Sequence, residues 1–185
     1  MKKLLGIVVL GLLLTLNAKA EDIRDFKIEG MSIDDTLLQF YNKEIISKSE
    51  VSMGYTNKKY TALELVDNSY KTYSQVDIEY LTQDKSILIK SLNGIIFYSD
   101  MNKCYKKMNI ITKEISNVLT VAPKTGEYKH QSDSLSTVRA SMYQIKNGQI
   151  LVQCYDYSSD DIGEDMLSVS IWSEDYIKFL DSDPY

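Results

Sequence analysis

Five carboxylates fall within ten residues, at Asp156, Asp160, Asp161, Glu164 and Asp165, interleaved with Ser158, Ser159 and Gly163. An oxygen-rich loop of this kind can hold calcium, a hard cation that takes about six to eight oxygen ligands. The EF-hand spacing is not met, because Asp161 stands where the loop glycine belongs and Leu167 where the terminal glutamate belongs. A solvated acidic loop is the favoured reading, and calcium is the competing one.

His130 is the only histidine. A multi-histidine metal site and a two-histidine acid–base pair are therefore excluded. A Ser–His–Asp triad can be composed on paper, but the chain has no Gly-x-Ser-x-Gly elbow and no Gly-rich oxyanion loop. Its scattered glycines cannot build either nucleotide fingerprint, and nothing calls for a cofactor. His130 reads as a solvated side chain in the polar segment Tyr128 to Asp133.

The two cysteines, Cys104 and Cys154, carry the most specific expectation. Met101, Cys104, Met108, Ile111, Ile115 and Val118 recur at steps of three and four, which puts them on one face of a helix. Asp100 is placed to cap that helix, and Lys103, Lys106, Lys107, Lys113, Glu114 and Asn117 fall on its other side. Asn147-Gly148, between the extended runs Thr137 to Lys146 and Ile150 onward, signals a hairpin. A turn on that dipeptide sets Ile145 opposite Ile150, Tyr143 opposite Val152 and Ser141 opposite Cys154. Cys154 then shares a face with Ile150 and Val152, turned toward the helix that carries Cys104. A disulfide follows, worth roughly 4 kcal/mol on the chain-entropy view; the competing reading is a pair of inert buried thiols. With 49 residues between them, the cysteines do not form a Cys-x-x-Cys redox motif.

The elements that must position these groups follow from the chain in order. Lys2 and Lys3, the apolar run Leu4 to Leu14 and Ala18-Lys19-Ala20 predict a signal peptide over residues 1–20, with the mature chain starting at Glu21. The apolar run is too short for a membrane span, which needs roughly 20 residues. Without Lys2, Lys3 and Lys19 the remaining 18 basic residues (21 − 3) meet 26 acidic ones, a formal charge of −8. That balance argues against nucleic acid or anionic lipid as a partner. No Pro- or Gly-rich linker divides residues 21–185, so one exported domain, periplasmic or secreted, is expected.

Ile23 to Met31 reads as a short strand closing at Gly30. Ser32 and Asp35 form a capping-box pattern ahead of a first helix, with Ile33, Leu37, Leu38, Tyr41 and Ile45 as its stripe. From Val51 to Tyr98 the period changes to two: Val76, Ile78 and Tyr80 alternate with Asp77, Glu79 and Leu81, as in a half-buried strand. Asn93-Gly94 is either a tight turn or a bulge within one long strand, the bulge being preferred. Met166 to Ile171 reads as a last strand, followed by a short helix capped by Ser173 with Trp172 stapled on Ile177. Among the 14 tyrosines, those on predicted strands read as sheet cover.

The segments Gly30-Met31-Ser32-Ile33, Asn93-Gly94-Ile95-Ile96-Phe97-Tyr98 with Cys104, Cys154-Tyr155-Asp156-Tyr157 and Leu167 to Ile171 resemble those of an uncharacterised family of small exported bacterial α+β proteins. That resemblance implies a fold and transfers no active site. Asn42 to Ser47 is echoed by Thr112 to Ser116, and this outline of two similar βα(β)n halves is similar to β-lactamase-inhibitor-like and outer-membrane-assembly lipoprotein domains, whose role is protein binding. The expectation is an α+β domain with helices packed on one face of a mostly antiparallel sheet. Its expected function is a non-catalytic binding or envelope-interaction module, the partner being an envelope protein or glycan. The alternative is a carboxylate-based hydrolase or other small-molecule enzyme, marked by two acids facing across a cleft at about 5 to 10 Å.

Overall fold

A computed structural model describes residues 21–130 and 133–182. The expected leader, residues 1–20, lies outside the described residues.

Eight strands form one antiparallel sheet: β1 (Glu50–Val51), β2 (Tyr60–Leu65), β3 (Gln75–Leu81), β4 (Ile89–Phe97), β5 (Lys124–Lys129), β6 (Thr137–Ile145), β7 (Gly148–Asp156) and β8 (Met166–Ser173), in spatial order β1-β2-β3-β4-β8-β7-β6-β5. Among the described residues three α-helices accompany it, α1 (Lys43–Lys48), α2 (Met101–Val118) and α3 (Glu174–Leu180). The α+β expectation holds at that level.

Period-two patterning gives the sheet two unlike faces. One carries Leu63, Ile78, Leu92, Ile171, Ile150 and Tyr143 in register across six strands, all buried. Onto it α2 lays Cys104, Met108, Ile111 and Ile115, the interior of the predicted stripe. Asp100 caps the helix by accepting from the Asn102 amide at 3.0 Å. Cys104 and Cys154 are joined as a disulfide, their Cα atoms 6.1 Å apart. Near the other end of α2, the Tyr143 hydroxyl donates to the Thr112 carbonyl at 2.6 Å and lies 2.8 Å from the Ser116 hydroxyl. The helix is thus fastened to β6 and β7 at both ends.

The hairpin register differs from expectation by two residues. Ile145 faces Gly148, Tyr143 faces Ile150, Ser141 faces Val152 and Arg139 faces Cys154, with Lys146-Asn147 as the turn. Asn147 takes the left-handed conformation, at φ 62°, which asparagine tolerates. Gly148 is needed inside the ladder instead, because a Cβ there would lie 2.2 Å from the Trp172 carbonyl oxygen. A shift of two preserves which face each side chain points to, so Cys154 still meets α2. Arg139, opposite Cys154, lies 4.1 Å over the Tyr105 ring of α2.

Asn93-Gly94 is neither turn nor bulge. Both residues are paired in mid-strand with Asp77 and Val76 on one side and with Ser170 and Val169 on the other. Glycine is required because the Tyr73 ring rests on the backbone, 2.6 Å from where a Cβ would be. The irregularity falls where Glu79 pairs with Ser91 and Tyr80 with Ile89, leaving Lys90 unmatched.

The first predicted strand and helix are corrected. Ile23–Asp25 is a 3-10 turn with an Asp22/Asp25 capping box, and Glu29-Gly30 is a tight turn at φ 48° and 88°. Past it, Asp34 and Leu37 donate backbone N–H to the carbonyls of Ile89 and Ile87, and Asp35 accepts from the Ile89 amide. These tertiary bonds use the groups a helix from Ser32 would need for itself. Ser32 instead donates its hydroxyl to the Phe26 carbonyl at 2.7 Å, while Asp35 makes half of the capping box by accepting from the Ser32 amide at 2.9 Å. Only Leu37–Gln39, as a 3-10 turn, and Lys43–Lys48 are helical, and Ile45 is exposed.

Candidate functional site: the open face of the sheet

The second face is built from the alternate residues of the same strands, and its registers fall into rows. One row runs Ala62, Glu79, Ser91, Trp172, Gln149, Gln144. The next runs Glu64, Asp77, Asn93, Ser170, Leu151, Met142, Lys124, and the third Gln75, Ile95, Ser168, Gln153, Ala140, Gly126. A fourth runs Phe97, Met166, Tyr155, Val138, Tyr128. Hydroxyls and amides occupy the middle, with aromatic and methionine side chains around them. Among the described residues no helix lies over the middle rows.

Among the described residues one corner of this face is roofed by a helix. Here α3 packs Tyr176 and Phe179 on Tyr60, with ring centroids 5.2 and 4.7 Å from the Tyr60 ring. The expectation that all helices share one face is therefore corrected: α3 caps the opposite face at one end. Ser173 caps α3 as expected, accepting from the Tyr176 amide at 3.3 Å. Trp172 meets Tyr176 edge-on at 5.9 Å and donates its indole N–H to Asn93 Oδ1 at 3.0 Å.

Next to that corner stand the acids of this face, Glu64, Asp77 and Glu79. Glu79 is 2 % exposed. Burial pushes its carboxyl up to about 7; the Ser91 side chain opposes this, the neighbouring Asp77 charge adds to it, and Tyr176 and Asn93 oppose it. Burial likewise pushes Asp77 up to about 6, against a 2.8 Å hydrogen bond from Gln75 and with the help of the Glu64 charge. Glu79 Oε2, its cross-strand neighbour Ser91 Oγ and, under α3, the Tyr60 hydroxyl are buried without a hydrogen-bond partner of good geometry, although Ser91, Tyr176 and Asn93 are close enough to favour the charged form of Glu79. Such atoms are few in native proteins, and each asks for water or a ligand. None of Glu64, Asp77 and Glu79 takes part in a salt bridge among the described residues.

The residues singled out from sequence are dispersed. Asp156 accepts from the Tyr105 hydroxyl at 3.1 Å and Asp165 from the Tyr157 amide at 2.8 Å, while Asp160, Asp161 and Glu164 point into solvent. Among the described residues no group of three or more His, Cys, Asp and Glu is arranged to hold a metal. His130 packs against Tyr157 and Tyr155 at 5.4 and 6.1 Å. Nearby, Asp133 accepts directly from the hydroxyls of Ser136 and Ser158, an order in which no imidazole stands between carboxylate and serine.

Surface depressions lie elsewhere. One of about 680 Å³ is bordered by Lys58, Lys59 and Asp84, and one of about 230 Å³ by Asp34, Lys90, Glu174 and Asp175. In the smaller one Lys90 is already paired with Asp34 at 2.6 Å. Neither depression reaches Asp77 or Glu79.

No protein-family model, curated protein or solved structure matches this chain. The site therefore has to be read from its own chemistry.

Proposed function

We propose that the chain is an exported, non-catalytic binding module whose working surface is the open face of the sheet. The observation that carries this reading is the make-up of that face. A solvated antiparallel sheet ordinarily turns charged side chains outward, whereas the inner rows here hold Asn93 and the buried Ser168, Ser170, Gln149 and Gln153, and what this face presents to solvent is the surround of half-buried Trp172, Tyr155 and Met166 and exposed Tyr128. Depletion of charge at the centre with aromatics and methionine around it is the composition of a protein-recognition surface. The disulfide fits an oxidising compartment outside the cytoplasm, and among the described residues no helix is long and apolar enough to cross a membrane.

The strand order joins two four-strand meanders through the β4–β8 pair. This supports the tandem reading of the sequence and, with it, a protein partner in the envelope. The helices of the two halves are unequal, six residues in α1 against eighteen in α2.

One observation favours the enzymatic alternative: Asp77 and Glu79 are both pushed toward neutrality, the range in which a carboxyl serves as acid or base. They stand side by side on one strand, however, and do not face each other across a cleft.

The test is capture from the organism's own envelope extract with the mature protein and two variants. Substitution of the exposed Tyr128 and the half-buried Met142 on the open face by Ala should abolish capture. Substitution of Lys106 and Lys113 on the outer side of α2 should leave it intact. Loss of capture through the α2 variant alone would contradict the reading.

A further inference from the structure

We propose that the outer side of α2 docks on an anionic lipid surface, through Lys103, Lys106 and Lys113 arranged around Ile110. The net charge of the whole chain speaks against an anionic partner, but that charge is unevenly spread. Residues 101–146 hold eight Lys and Arg against three Asp and Glu, while the rest of residues 21–185 hold ten against 23.

These lysines stand where a helix has least use for them. Lys103, Lys106, Ile110 and Lys113 follow at steps of three and four on the side of α2 away from Cys104, Met108, Ile111 and Ile115, and all four are exposed. Lys103 meets Lys106 at i+3 and Lys107 at i+4, a like-charge spacing that weakens a helix. Lys103 also falls in the first turn, where the helix dipole disfavours a cation. By contrast, Lys48 of α1 and Lys178 of α3 each reach a glutamate four residues back at 2.7 Å. No lysine of α2 takes part in a salt bridge among the described residues. Glu114 is the single acid on α2, and the neighbouring Asp100 and Asp156 accept from the Asn102 amide and the Tyr105 hydroxyl.

The chemistry of the stripe selects the partner. Protein interfaces deplete lysine in favour of arginine and aromatic anchors, and the stripe holds neither. Its ammonium groups are point charges without the planar fork that reads a single carboxylate. A row of them along one helix suits a field of headgroup phosphates. Ile110, 52 % exposed in the middle of the row, adds an apolar side chain that can enter the headgroup layer. The acids of the open face lie beyond both helix and sheet from this stripe. A helix is about 10 Å thick and the screening length at physiological salt is about 8 Å, so those acids do not cancel it. The stripe and the open face point away from each other, and a chain resting on lipid through α2 keeps the open face free for a protein partner.

The test is cosedimentation of the mature protein with vesicles of phosphatidylcholine alone, or of phosphatidylcholine with about one part in three of phosphatidylglycerol, at about 0.1 M salt. Three proteins are compared: wild type, Lys103→Gln/Lys106→Gln/Lys113→Gln, and Lys43→Gln/Lys58→Gln/Lys85→Gln, which loses the same charge from exposed lysines elsewhere. Wild type should bind the anionic vesicles and not the neutral ones. Affinity should fall at least about tenfold in the stripe variant and stay within about twofold in the other. The stripe variant should melt no lower than wild type, since its like charges oppose the helix. Equal weakening in both variants, or equal binding to neutral vesicles, would overturn the proposal. So would a lower melting temperature in the stripe variant, which would give the lysines a role in the fold. Binding of soluble polyglutamate as tight as that of the anionic vesicles, and lost in the same variant, would assign the stripe to an acidic protein and overturn the lipid surface.

Discussion

Glu79 sits directly across the β3–β4 ladder from Ser91, and both are buried, with Glu79 Oε2 and Ser91 Oγ short of a hydrogen bond of good geometry while Ser91, Tyr176 and Asn93 still pull the carboxyl back toward its charged form. A fold normally removes such a pair or satisfies it. Beside Asp77, this buried carboxyl makes the stability of the corner depend on pH.

The first prediction is a pH dependence. The Glu79 carboxyl is raised from 4.5 to about 7 in the folded chain. The folded state therefore binds more protons than the unfolded one between these values. The stabilising contribution is full below about 4.5 and is lost as pH rises through about 7. At about 1.4 kcal/mol per pH unit, the loss is on the order of 3 kcal/mol. Asp77, raised to about 6, acts in the same direction. Asp22 and Asp133, held far below the usual carboxylate range by hydrogen bonds from Arg24 and Ser136, act oppositely and only in stronger acid. Melting temperature should fall from pH 5 to pH 8 in wild type, and Glu79→Gln should flatten that slope. An unchanged slope in the variant would refute the assignment.

The second prediction concerns the sulfur bridge. Reduction, or Cys104→Ala/Cys154→Ala, should cost about 2 to 4 kcal/mol in denaturant unfolding. Because Tyr143 still fastens the far half of α2, hydrogen exchange should rise most in the first turns of the helix. Uniform exchange along α2 would show that the two fastenings are not independent.

Much of this architecture can be read from residue spacing alone. The α2 stripe and its Asp100 cap are local signals, and both appear where the spacing puts them. The cysteine pairing is reached even though the hairpin turn falls one position early, because a two-residue slip leaves side-chain facing unchanged. Residues 32–45 mislead for a physical reason: their apolar spacing is helical, but their backbone groups pair with Ile87 and Ile89, whose positions no local pattern reveals. The acid corner is half legible. Alternation puts Asp77 and Glu79 on one face, and the natural inference is a wet one, since the neighbours of Glu79 include Tyr176 of α3, which is remote in sequence.

A third prediction follows from Glu29, a structural carboxylate that sequence patterning does not single out. Its oxygens accept from the backbone N–H groups of Lys71, Thr72 and Tyr73 at 3.0, 2.8 and 3.1 Å. This ties the Glu29-Gly30 turn to the segment entering β3. Glu29→Gln removes one acceptor oxygen and should cost about 1 to 3 kcal/mol, lowering the melting temperature by several degrees. Glu114→Gln, on the outer side of α2, serves as the control and should leave it unchanged.

The most direct test of the central claim is hydroxyl-radical footprinting of the mature protein alone and in the complex captured from envelope extract. The account predicts that Trp172, Met166 and Met142 on the open face become protected in the complex, while Ile110 on the outer side of α2 is oxidised as before. Protection at Ile110 with Trp172 and Met166 unchanged would contradict it.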